Sequence, residues 1–153
     1  MRYKHWLAIG ASILLGLIFF TFGLGKIPYQ TEFLALTLSK SFLTLSQAII
    51  VARWVPWVEV VLGSLLIIGI ATKFMASFSA VLIVAFIANN NWLIYHGLGD
   101  KPCGCHGEIE NLGTMSVIDS LYLDMGMLVL VLIILFYYRG NFLTTRPWFF
   151  RKR

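Results

Sequence analysis

Charge is scarce in this sequence: Lys, Arg, Asp and Glu together make up 12% of its 153 residues. Soluble domains carry roughly 25%, and so few charges cannot cover the surface of a water-borne globule. Cysteine and proline are also sparse, at two and four residues. No internal repeat or low-complexity tract is present. These absences exclude a disordered chain, a collagen, a coiled coil and a secreted fold held by many disulfides. Catalytic triads, phosphate-cradling loops and carboxylate pairs at enzyme spacing are missing as well. What abounds is apolar, with 59% hydrophobic and 15% aromatic residues. The length is that of one domain, and the composition is that of an integral membrane protein.

The net charge of +5 does not point to nucleic acid, because the bases sit at the ends of apolar runs, where they orient a chain in the bilayer. A helix crossing about 30 Å of hydrocarbon needs roughly 20 apolar residues. Four segments meet that need: residues 6–24, 54–71, 74–94 and 117–138. The expected fold is an all-α, four-helix antiparallel membrane bundle forming one domain over 1–153. Thr72 and Lys73 are expected to separate the second and third spans as a tight hairpin. The exit of the first span, Thr21-Phe22-Gly23-Leu24-Gly25-Lys26, offers no small-x-small cleavage site, so that span is expected to be retained.

With four spans, both termini share a side. Arg2, Lys4, Lys73, Arg139, Arg146, Arg151, Lys152 and Arg153 then lie together, against Lys26, Lys40, Arg53 and Lys101 on the other side. The termini are expected to be cytoplasmic in a bacterial or archaeal inner membrane, and the loops 25–53 and 95–116 to face outward. In the first of these loops Leu34, Leu38, Phe42, Leu45 and Ile49 recur at a helical period. An amphipathic helix lying in the interface is expected there, either sealing the bundle or docking a partner.

Charged groups inside a span are costly and usually face the bundle interior. Glu59 and Asp124 fall in the outer halves of their spans, the Asn89-Asn90-Asn91 triplet is near the outer end of the third, and Lys26 closes the first. We read Glu59, Asp124, Lys26 and Asn90 as a buried polar cluster, serving either to lock helices or to take part in function; Arg53 is the other candidate partner for the carboxylates. Arg53 with Trp54 and Trp57 reads as an interfacial anchor. Asp119, three residues after Ser116, has the spacing of a helix cap. Pro56 is expected in the first turn of its span, where a missing N–H costs little.

The last outer loop contains Cys103-Gly104-Cys105-His106. Two thiols one glycine apart can close a small ring, and strained, exposed disulfides are the exchanging kind. His106 beside Cys105 favours the thiolate when protonated. Cys103, Cys105 and His106 are therefore the catalytic candidates. A permanent staple is the second reading, and a metal site made with His96 the third, since adjacent residues do not span a tetrahedron well.

These residues resemble the MauE/DoxX group of small four-span membrane proteins. The likeness rests on Phe22-Gly23-Leu24-Gly25-Lys26, on Pro56-x-x-Glu59 followed by Gly63, and on Pro102-Cys103-Gly104-Cys105-His106-Gly107. His106 departs from the aromatic residue usual after the second cysteine. The resemblance to the MauE branch implies a role in maturing a disulfide-rich periplasmic enzyme, methylamine dehydrogenase, beside a thioredoxin-like partner. The DoxX branch implies a subunit of a quinone-linked sulfur-oxidising enzyme. Two function classes follow. One is a redox protein whose dithiol exchanges with a partner outside the membrane, a quinone near Glu59 and Asp124 being the candidate second carrier. The other is a non-catalytic subunit of a larger membrane complex, in which Cys103 and Cys105 only clip a loop.

Overall fold

The computed structural model describes residues 2–28, 31, 34, 38, 43–100 and 116–138. It contains four long helices: α1 Arg2–Lys26, α2 Leu45–Ile68, α3 Thr72–Tyr95 and α4 Val117–Tyr137. All four are long and apolar enough to cross a membrane, and no strand pairs among the described residues alter an all-α architecture. The chain is a multi-pass membrane protein that lives in contact with lipid.

Helix α2 begins well before the expected Trp54. The reason is a capping signal: the Thr44 N–H donates to the Gln47 side chain at 3.1 Å, which satisfies an orphan donor at a helix start. Leu45 and Ile49, expected in an interfacial loop helix, are the first turns of α2 instead. Leu34 and Leu38 are helical, and the rest of the expected amphipathic helix lies outside the described residues. Pro56 consequently sits in the helix interior rather than the first turn. Its missing N–H leaves the Ala52 carbonyl without a helical donor, a cost that membrane helices absorb through their neighbours. The turn to α3 also comes earlier than Thr72-Lys73. Gly69 takes a left-handed conformation (φ 81) and its N–H closes on the Leu65 carbonyl at 2.9 Å, the usual glycine stop; α3 then resumes at Thr72.

The helices pair unequally. α1 packs extensively along α2 and α3 along α4, α1 also touches α4, and α2 meets α3 only slightly despite their short connection. The reason for the first pairing is steric. A Cβ on Gly16 would fall 2.8 Å from the Gly63 carbonyl oxygen, one on Gly63 would fall 2.6 Å from the Gly16 oxygen, and one on Gly23 would fall 2.8 Å from the Pro56 oxygen. Backbone thus lies on backbone, the close approach that small residues permit in membranes. Ser12 adds a bond to the Leu66 carbonyl at 2.9 Å. Contacts that climb α1 descend α2, so the two run antiparallel.

Helix α4 buries Val117, Ser120, Asp124, Met127, Val131 and Ile134, and Tyr138 just past its end continues the row, a three-four alternation that keeps one seam inward. Met127, Val131, Ile134 and Tyr138 join Ala8, Leu15, Phe19, Leu66 and Ile83 in the main core, while Val117 packs with Leu93 in a second cluster. That core fills the half of the bundle nearer the chain termini. Trp54, Trp57, Trp92, Tyr95 and Tyr122 are exposed toward the other end, and Trp6 and Phe136 toward the terminal end; exposed Trp and Tyr are the mark of membrane interfaces.

Candidate functional site

Each helix contributes one polar side chain to a layer near the end where the connections 27–44 and 96–116 emerge. Lys26 comes from α1, Glu59 from α2, Asn90 from α3 and Asp124 from α4, and none is more than 6% exposed. Such groups are expensive at membrane depth unless paired, and here they are paired. The Lys26 ammonium donates to both Glu59 oxygens, at 2.7 and 2.9 Å. It also lies 5.2 Å from the centre of the Phe86 ring, so one cation bridges α1, α2 and α3. Asn90 Nδ2 donates to Asp124 Oδ2 at 2.8 Å, joining α3 to α4. Asp124 lies within the electrostatic reach of both Lys26 and Glu59. The layer therefore holds one cation and two carboxylates.

Local structure explains these placements. Lys26 is the last residue of α1, where its cation complements the helix C-terminus. Glu59 is on the inward stripe of α2 with Ala52, Pro56, Gly63 and Leu66, and the glycine contacts bring the α1 and α2 axes close enough for direct pairing. Of the asparagine triplet only Asn90 is buried; Asn91 is exposed and donates to the Ile87 carbonyl at 2.9 Å.

Other candidates fall elsewhere. Arg53, Trp54 and Trp57 are exposed, unlike the four residues of the layer. Ser116 caps α4 with Asp119 as its partner: the Asp119 N–H donates to Ser116 Oγ at 3.1 Å, and that hydroxyl donates to Asp119 Oδ2 at 2.8 Å. His96 is exposed at the end of α3, with Nδ1 2.9 Å from the Trp92 carbonyl and its ring 4.3 Å from the Trp92 ring. Cys103, Cys105 and His106 lie outside the described residues. The chain leaves the described part at Asp100 and returns at Ser116. Those two ends are tied, since the Ile118 N–H donates to the Gly99 carbonyl at 3.3 Å.

Reading the sequence missed Phe86, Gly16, Ser12 and Ser120. Ser12-x3-Gly16 carried the signal of a close helix contact, and Ser120 repeats at four residues from both Ser116 and Asp124. Phe86 carried none, being one of twelve phenylalanines.

A bundle of four membrane helices closed over a buried, paired charge layer defines a small multi-pass membrane protein. This chain belongs to the MauE family: the family model described as methylamine utilisation protein MauE matches residues 4–137. No protein of curated function and no solved structure matches the chain. Two of the three motif pieces that carried the resemblance meet in space, and the third, 102–107, lies outside the described residues. Gly23 rests on Pro56, and Lys26 grips Glu59.

Proposed function

We propose that the protein is a membrane thiol–disulfide exchange protein whose Cys103 and Cys105 face the outer side of the cytoplasmic membrane and act on a thioredoxin-like or oxidoreductase partner, in the maturation of a disulfide-bearing enzyme such as methylamine dehydrogenase. The observation that carries the reading is the tie between Gly99 and Ile118. It anchors both ends of the cysteine-bearing segment at the end of the bundle that holds the Lys26–Glu59 and Asn90–Asp124 pairs. Membership of the MauE family supports the same reading.

The chemistry balances as a plain exchange. A partner thiolate attacks one sulfur of the Cys103–Cys105 disulfide, forming a mixed disulfide and freeing the other cysteine as thiolate. The partner's second thiolate then attacks its own bridged sulfur. The partner dithiol is oxidised to a disulfide, and the Cys103/Cys105 pair is reduced to a dithiol. Such attack needs thiolate character and access; His106 serves the first and the loop position serves the second.

The test is to trap the intermediate. The wild-type chain is expressed with a partner whose second cysteine is replaced by serine, and the cells are quenched with acid and alkylated. The mixed disulfide, which the partner can no longer resolve, should accumulate as a covalent adduct that reductant removes, and the Cys103→Ser/Cys105→Ser double variant should lack it. The absence of any adduct with the wild-type chain would leave the staple as the better account. Orientation is tested with Asn111→Cys and Thr145→Cys, where an impermeant maleimide should label only the first in intact cells.

A further inference from the structure

The buried layer has a polar connection to the bundle end that neither the helix pairing nor the dithiol reading uses. Ser120 is 1% exposed, and its hydroxyl oxygen is buried with no hydrogen-bond partner among the described residues. Buried hydroxyls are rarely left so, and the usual partner where protein supplies none is a water molecule. Ser120 lies one helical turn before Asp124, and residues four apart on a helix stand roughly 5–6 Å from each other on one face. Both are on the buried seam of α4. One turn earlier again is Ser116, whose hydroxyl is bonded to the exposed carboxylate of Asp119. Oxygen-bearing side chains thus step inward along α4 from Asp119 and Ser116, through Ser120, to Asp124.

The layer at the end of these steps has an unequal charge count. Among the described residues, the groups facing Asp124 are Lys26 from α1, Glu59 from α2 and the neutral amide of Asn90 from α3. The Lys26 ammonium is held by both oxygens of Glu59. Asp124 receives a neutral donor. One bound proton brings the layer from one cation and two anions to neutrality, and buried charge without a counter-charge is costly.

We propose that Asp124 is a proton-binding site, and that Ser116 and Ser120, the latter holding a water, form the route by which it exchanges protons with the water beyond the start of α4. The step involves no electrons. A buffer acid at the mouth gives up a proton, the water at Ser120 passes one on, and the Asp124 carboxylate becomes a carboxylic acid. Intramembrane acids with polar chains leading to them are the pattern of proton relays.

Infrared pH-difference spectroscopy of the whole chain in liposomes tests this. A carboxylic C=O band should titrate, shift on transfer to D2O and disappear in Asp124→Asn. Asp124→Glu should retain a band at altered frequency, which keeps the assignment open to test if the asparagine variant does not fold. Ser120→Ala should slow the D2O shift several-fold, and Ser120→Thr, which keeps the hydroxyl, should restore it. No titrating band, a band that persists in folded Asp124→Asn, or an unaltered frequency in Asp124→Glu would overturn the site. Exchange in Ser120→Ala as fast as in the wild type would overturn the route.

Discussion

The α1–α2 pair and the α3–α4 pair solve the same problem with different chemistry. In α1–α2 the backbones touch through Gly16, Gly23 and Gly63, and the polar contact is a two-pronged ion pair. In α3–α4 the seam is made of side chains, among them Ile83, Leu93, Val117, Met127 and Val131, and the polar contact is an amide on a carboxylate. Membrane helices gain little from hydrophobicity against one another, so van der Waals fit and polar contacts must hold them. A lysine at the very end of α1 reaches a glutamate inside α2 because glycine removes the side-chain layer between the axes. The difference teaches that the two features of α1–α2 belong together, whereas the α3–α4 seam tolerates a neutral link.

The sharpest way to break this contrast is to orphan a charge. Glu59→Ala leaves the Lys26 ammonium buried without its anion, and removing one member of a buried pair costs about 3–5 kcal/mol. Thermal melts in a single detergent should show that loss. A Lys26→Met/Glu59→Met double variant should recover most of it, because apolar replacement of a buried pair is often neutral or better. If the double variant is as damaged as the single, the pair does more than hold the helices.

Next comes a methyl group. Gly63→Ala places a Cβ 2.6 Å from the Gly16 oxygen and the Phe20 nitrogen, both main-chain atoms that no rotamer change can move. Overpacking of this kind costs ~1–3 kcal/mol. Gly126→Ala in α4 is the matched control, with nothing among the described residues within 4 Å of the added carbon. It should be neutral or gain up to ~1 kcal/mol from helix propensity. Equal effects at the two sites would erase the difference between the pairs.

The third test compares coupling energies. An Asn90→Leu/Asp124→Leu cycle should give roughly 0.6–1.7 kcal/mol, the range of interhelical hydrogen bonds in membranes. The corresponding Lys26/Glu59 cycle should exceed it clearly. A reversed order would mean that the amide–carboxylate bond, not the ion pair, is the stronger pin.

How much of this was legible in the sequence depends on where the signal resides. Hydrophobic runs set the four spans because the bilayer imposes a length. The buried identity of Glu59, Asp124 and Lys26 was legible from cost alone, since a charge inside an apolar run has few places to go. Their pairing was not. Lys26 meets Glu59 rather than Arg53 because the glycine contacts fix the register of α1 on α2, and that register is a tertiary property. Likewise hydropathy alone starts α2 at Trp54, whereas the cap at Thr44 and Gln47 starts it at Leu45. The choice among the three neighbouring asparagines depended on helix phase, which only packing against α4 decides.

The smallest effect on stability should come from the residues with the largest expected effect on activity. Cys103 and Cys105 belong to none of the four described helices, and the exchange reading gives them no part in holding the bundle. Substitutions away from cores, caps and buried pairs usually change stability by no more than ~0.5 kcal/mol. Cys103→Ser and Cys105→Ser should therefore melt with the wild type, in contrast to Glu59→Ala. Their exchange activity should nonetheless vanish, because each removes one of the two sulfurs the reaction needs. A ring closed across a single glycine should also be easy to open. Its reduction potential should lie above the roughly −300 mV below which inert structural disulfides sit. Equilibration with dithiol buffers, followed by alkylation of the free thiols, measures that potential directly. A pair that stays closed near −300 mV, or cysteine variants that melt as early as Glu59→Ala, would make the cysteines part of what holds the bundle. The contrast between a rigid helical frame and a chemically active loop would then fail.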